Sequence, residues 1–282
     1  MPIGTGKRGR ILIIGTGMQE IGKSYLTLED AMYQAYTAQY RQKSLLFDSN
    51  GEYAEYEIGG VNYKINKIGH NDIIAYGNHP GKEVKRIEPF HKDGAPMDED
   101  QAEALLLKVI KDFRGGHLII EDTSTLFGDF IPEAVAKLIV NVRHRNCDIT
   151  MHLQSVGRIL PKMLQNAKVI RYHYQLDAID RSRAKLSDEI EIYQVAEKMV
   201  NTQFIGGNPY FCVYIFRVFK KIKGRFTPRM MAEAIQEYLS ENPVILRPLL
   251  LKTTTGGGKL YTTHEEALAA KTKELFAKYW GN

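Results

Sequence analysis

Short, continuously apolar runs recur along the chain and are separated by longer stretches with one apolar stripe. Ile11-Leu12-Ile13-Ile14, Ser44-Leu45-Leu46-Phe47 and His117-Leu118-Ile119-Ile120 do not alternate apolar with polar positions. Such runs predict strands covered on both faces, at residues 10–15, 44–48 and 117–122, with further strands at 148–153, 169–174 and 211–218. The intervening stretches predict helices at 25–40, 98–113, 132–144, 161–167 and much of 177–199. In the second of these, Ala102, Leu105, Leu106, Val109 and Ile110 share one stripe. Thr227-Pro228 predicts a capped helix start. Alternating strand and helix over this length predicts an α/β fold, a doubly wound and mostly parallel sheet.

Two segments break the rhythm. Residues 54–96 contain short β-like pieces interrupted by Gly59-Gly60 and His79-Pro80-Gly81 and read as a β-rich insertion. Thr253-Thr254-Thr255-Gly256-Gly257-Gly258 has linker composition, and Thr263-His264-Glu265-Glu266 is a capping box opening an amphipathic helix with Leu268, Leu275, Phe276 and Trp280. The expected organisation is one domain over 1–250 and a linker with a helical tail over 251–282, the helix packing on its own domain or docking on a partner.

Candidate chemistry sits at the ends of the apolar runs. Gly17-Met18-Gln19-Glu20-Ile21-Gly22-Lys23-Ser24 follows the first run and precedes a helical pattern, and it fits G-x-x-x-x-G-K-[ST]. In that pattern glycines let backbone N–H groups turn toward phosphate oxygens at a helix N-terminus, the lysine reaches the β- and γ-phosphates, and the serine hydroxyl goes to Mg²⁺. The loop with Tyr25 is therefore the expected ATP contact, and the fold expected is the P-loop NTPase type with an additional, RecA-like strand. Phosphoryl transfer also needs carboxylates near the metal. Glu121-Asp122 ends the third run; by position Glu121 takes the metal with Ser24, and Asp122 orients or deprotonates water. Gln154 ends the next run and could bond the γ-phosphate. Arg143, with Arg145 as the second candidate, lies in a basic cluster that could reach a neighbouring subunit's nucleotide.

Composition changes little. The chain has 282 residues and a formal charge of +5, which permits contact with nucleic acid without demanding it. Its two cysteines, Cys147 and Cys212, are far apart and suggest neither a disulfide framework nor a zinc site, so a reducing cytoplasm is expected. No run approaches the ~18 apolar residues of a membrane span, and no membrane insertion is expected. The basic stretches at 181–185 and 220–225 are candidate phosphate-backbone contacts or solvated faces. Asn66-Lys67-Ile68-Gly69 lacks the aspartate of a guanine-reading motif, which disfavours a GTPase.

The order of these motifs resembles the HerA/FtsK superfamily of ATPases. Asp48-Ser49-Asn50-Gly51-Glu52-Tyr53 is similar to the D-x-x-G-E-Y segment after the second strand of HerA-like members. Arg143 stands eleven residues before Gln154, as do the family's arginine finger and sensor glutamine, and residues 154–161 continue like the turn that follows. The resemblance spans roughly residues 9–175. Glu121-Asp122 departs from the family's usual Asp-Glu order. No N-terminal barrel or membrane segment is seen, so the chain most resembles the genome-packaging ATPases of tailless viruses. The resemblance implies ATP hydrolysis at the subunit interfaces of a homo-oligomeric, hexameric ring that drives DNA, gripped by its backbone, through a channel. It further implies a capsid or portal-vertex protein as partner, and host cytoplasm or virion as location. A plasmid-mobilisation or repair translocase, or an ATP-binding assembly protein without sustained turnover, are the alternatives.

Overall fold

Burial explains why the apolar runs do not alternate. In a computed structural model that describes residues 10–38, 42–121, 131–141 and 146–281, Leu45, Leu46, Phe47, Ile119 and Ile120 are fully buried. They belong to β2 (Ser44–Phe47) and β7 (His117–Ile120); the other strands up to residue 153 are β1 (Leu12–Thr16), β3 (Glu55–Ile58), β4 (Val61–Lys64), β5 (Asn66–Lys67), β6 (Val84–Ile87) and β8 (Asp148–Leu153), of which β3 and β4 pair as a separate hairpin. The chain divides into two units, Met1–Val169 and Ile170–Asn282. In the first unit the strands run β1-β8-β7-β2-β6-β5, every neighbouring pair parallel. All their carboxyl ends therefore share one edge, the edge where α/β sheets bind ligands. The mostly parallel α/β sheet expected from the pattern is present.

α1 (Lys23–Met32) covers this sheet and runs on through a π-helical turn, Tyr33–Thr37. Its Leu28, Ala31, Met32 and Ala35 meet Leu46, Ile65, Val84 and Ile119 in a buried cluster. Onto that cluster folds the β3–β4 hairpin, contributing Tyr56, Ile58 and Tyr63, with Tyr53 just ahead of it. Gly59 and Gly60 both have positive φ, 59° and 79°, as a two-residue hairpin turn of matching twist requires.

The 54–96 segment is only in part the insertion expected. β6 pairs in parallel with β2 from Ser44↔Val84 to Phe47↔Ile87, so it is a strand of the main sheet. α2 (Ile73–Asn78) was not expected at all. It is too short to show a helical stripe, and it is held from a distance: the buried Lys43 ammonium donates to the carbonyls of Tyr76 (3.0 Å), Gly77 (2.7 Å) and His79. Burial, and then the nearby Lys82, lower the Lys43 pKa. α3 (Glu99–Asp112) buries its predicted stripe behind an Asp98/Gln101 capping box, and α4 (Glu133–Asn141) and α5 (Pro161–Asn166) complete the unit.

The second unit contains β9 (Val169–His173), β10 (Cys212–Phe216) and β11 (Lys221–Gly224) in the order β11-β10-β9. β11 occupies the basic stretch 220–225, which the charge pattern had masked as a strand; it pairs antiparallel with β10. α6 (Ile190–Ile205) and α7 (Pro228–Glu241) pack together, and Thr227 caps α7 by accepting from the Met230 N–H at 3.2 Å. The composition-based linker does not extend. Thr254 N–H donates to the Gly258 carbonyl at 2.7 Å and Leu260 N–H to that of Lys252 at 2.8 Å, closing a turn. α8 (His264–Tyr279) then starts at the Thr263/Glu266 capping box and lies against α7 and β11, with Ala267 and Leu275 fully buried. Among the described residues no helix is long and apolar enough to cross a membrane.

Because Leu275 is fully enclosed, Leu275→Ala is expected to destabilise the second unit by about 2–5 kcal/mol. Denaturant unfolding of both chains measures the difference; a change below about 1 kcal/mol would show that α8 is not held by this contact.

Candidate nucleotide site

Strand β1 ends one residue before the glycine loop, and the loop is tied to its neighbour at once: Gly17 N–H donates to the Leu153 carbonyl of β8 at 3.1 Å. Gly17 and Gly22 have φ of 149° and 78°, conformations that a β-carbon would strain, and Gly22 caps α1. Glu20 adopts φ 61° without being glycine, a backbone outlier of about 1–2 kcal/mol in a loop expected to bind. Ile21 is buried and pins the loop, whereas Gln19, Glu20 and Tyr25 are exposed. The Lys23 ammonium bends back across the loop to the carbonyls of Gly17 (2.6 Å) and Met18. Backbone N–H groups at the start of α1 and a lysine over the loop make an anion cradle.

The carboxylate of Glu121, one residue past β7, faces this cradle. It is 3% exposed, and burial of a carboxylate is unfavourable unless donors surround it. Ser24 Oγ donates to Oε2 at 2.7 Å, and His152 Nδ1 lies 3.0 Å from the same oxygen. His152 Nε2 is in turn 2.8 Å from Thr27 Oγ1 on α1. The Tyr53 phenol lies beside Ser24.

Asp48 brings Tyr53 there. Fully buried at the end of β2, its two carboxylate oxygens accept from the backbone N–H groups of Glu52 and Tyr53, each at 3.0 Å. Arg86 of β6 adds a contact at 3.3 Å and also pairs with Glu88. The Asp48–Tyr53 motif is thus a carboxylate-organised turn that aims a phenol at the loop serine. Tyr56 follows, its ring centroid 5.7 Å from that of Tyr53 and 6.1 Å from that of Tyr25. Burial, and then the Glu121 charge, raise both phenol pKa values, that of Tyr56 to about 12, so both stay neutral hydroxyls at ordinary pH.

The structure brings together Gly17 through Tyr25, Glu121 and Gln154; Gln154 is half-buried and follows directly on the Leu153 that accepts from Gly17. Asp122, Arg143 and Arg145 lie outside the described residues. His152 and Tyr53 carry contacts to the site that sequence reasoning did not assign. The polar positions 148, 150 and 152 of β8 share one face and lead to Gln154, and they were the available signal for His152. The oxygens of Ser24 and Glu121, 2.7 Å apart, suit a hard divalent cation such as Mg²⁺. Among the described residues no group of three or more His, Cys, Asp or Glu gathers. Mg²⁺ sites that also use phosphates and water need no such group.

A glycine cradle after β1, an acidic strand β7 and a strand β8 between the two define the P-loop NTPase fold, with its additional strand. The solved structures agree. The chain is similar to the genome packaging NTPase B204 from Sulfolobus turreted icosahedral virus 2 in complex with AMP, at 17% identity and a TM-score of 0.50, covering 78% of this chain and 98% of that one. It is similar to the same protein in complex with sulfate at 18% identity and a TM-score of 0.50, covering 77% and 96%. At such identities the likeness is one of fold. No family model and no curated protein matches the chain.

Asp48→Asn keeps the side chain's shape and removes one acceptor and the charge facing Arg86. The expected cost is about 1–3 kcal/mol in denaturant unfolding, because buried backbone donors lose their partner. Unchanged stability would show that the carboxylate does not hold the turn.

Proposed function

We propose that the chain is an ATPase that binds ATP with Mg²⁺ at the glycine loop and couples hydrolysis to moving DNA, in the packaging of a viral genome. The observation that carries this reading is the Ser24–Glu121 hydrogen bond of 2.7 Å, which joins the loop to the acidic strand across β8. The fold it shares with B204, described as a genome packaging NTPase and held there with AMP, supports the same reading.

In this reading the loop N–H groups take the phosphates and Lys23 leaves the Gly17 and Met18 carbonyls for the β- and γ-phosphate oxygens. Mg²⁺ held by Ser24, with Glu121 acting through water, supplies charge neutralisation between the phosphates. The metal role of Glu121 is supported by its bond to Ser24, leaving Asp122 to position the attacking water. Gln154, beside the loop, bonds the γ-phosphate or that water. Arg143 neutralises transition-state charge on an adjacent subunit, which makes the working form a homo-oligomeric ring, read as a hexamer. DNA is gripped by its phosphates without sequence preference, and a capsid or portal-vertex protein is the docking partner.

Steady-state ATP turnover with no DNA, with single strands and with duplex is the test. The wild-type chain is expected to turn over ATP with Mg²⁺ and to be stimulated by DNA, the stimulation falling steeply with salt. Lys23→Ala abolishes turnover, and Arg143→Ala reduces it by about 10³-fold or more while sparing nucleotide binding. Normal turnover in Arg143→Ala would remove the finger role from that residue. Nucleotide binding without turnover or DNA response would overturn the motor reading in favour of an ATP-binding assembly protein.

A further inference from the structure

His152 is an imidazole in a strand whose every residue is buried, and it is itself 1% exposed. An imidazole is retained in such a place only when its nitrogens are hydrogen-bonded. Both are: Nδ1 lies 3.0 Å from Glu121 Oε2, and Nε2 lies 2.8 Å from Thr27 Oγ1. Strand register produces the first contact. Gly15 of β1 pairs with His152, and Ile120 of β7 pairs with Met151, which sets Glu121 beside His152 in the next row.

An ionised carboxylate only accepts, so the proton of this contact sits on Nδ1. Glu121 Oε2 then receives two donors, Ser24 Oγ–H and His152 Nδ1–H, from two different elements. A glutamate side chain has one rotatable bond more than an aspartate, and the second donor removes that freedom. Thr27 belongs to α1, and its Oγ1 lies 2.8 Å from Nε2 and 3.1 Å from the Lys23 carbonyl, its one proton serving one of them at a time, so the brace reaches the helix that carries the loop.

We infer that His152 is a positioning residue that holds the Glu121 carboxylate toward Ser24 and so sets how strongly a divalent cation strengthens nucleotide binding. The inference rests on the nucleotide–metal reading of this site. His152 touches neither phosphate nor cation; it acts through Glu121.

Two near-isosteric variants separate the brace from simple packing. Asn places an N–H donor where Nδ1 was, so His152→Asn keeps the bond to Glu121 and loses that to Thr27. Gln reaches the Nε2 position, so His152→Gln keeps Thr27 and loses Glu121. Affinity of the full chain for a fluorescent ATP analogue is measured in EDTA and in Mg²⁺. In EDTA all three chains are expected to agree within about twofold, while His152→Gln loses about tenfold or more of the Mg²⁺ enhancement and His152→Asn stays within about threefold of wild type. A wild-type Mg²⁺ enhancement in His152→Gln, or equal losses in both variants, overturns the inference alone. A wild-type chain whose binding is indifferent to Mg²⁺ overturns the metal reading and the inference with it. Imidazole ¹⁵N NMR of the wild-type chain needs no variant to fold: a protonated Nδ1 is expected, and an unprotonated Nδ1 at neutral pH overturns the brace.

Discussion

A carboxylate removed from water needs donors to stay ionised, and several elements of the first unit converge to supply them to one oxygen of Glu121. Oε2 takes a hydroxyl from α1 and an imidazole N–H from β8, and the Tyr53 phenol lies beside the serine that supplies the hydroxyl. These partners come from separate stretches of the chain. They meet because parallel strands deliver all their carboxyl ends to one edge, so a glycine loop, an acid, a glutamine and an aspartate-led turn, distant in sequence, become neighbours.

Around that acid the remaining elements take on definite tasks. β8 separates β1 from β7 by one strand's width, and Ser24 and Glu121 lean across it to meet. Asp48 shapes residues 49–53 by accepting from two backbone N–H groups, and Arg86 from β6 offsets its charge. The β3–β4 hairpin closes over α1 with apolar and aromatic side chains and sets Tyr56 between Tyr53 and Tyr25. The site is therefore framed by aromatic rings on one side and by the loop backbone on the other.

Much of this was legible in the residues. Unbroken apolar runs gave buried strands, and the capping box at Thr263 and the Thr227 cap gave two helix starts, because these are local effects whose partners lie within a few residues. What escaped depends on partners far away in sequence. α2 relies on Lys43, β6 is a core strand only because β2 lies beside it, and β11 is a basic segment whose partner is β10. Residues 253–258 have linker composition yet close into a turn through backbone bonds that composition does not encode. The same holds at the site: the loop and Glu121 announce themselves by motif and position, while His152 acquires its place only from strand register and Tyr53 only from the turn at Asp48.

The central claim is that Ser24 and Glu121 form the cation side of a nucleotide site. Anomalous scattering from crystals grown with Mn²⁺ and a non-hydrolysable ATP analogue tests it most directly. The expected map has one strong peak within about 2.5 Å of Ser24 Oγ, on the Glu121 side, with the triphosphate wrapped by residues 17–24. Nucleotide bound elsewhere, or a metal peak remote from both side chains, would contradict it.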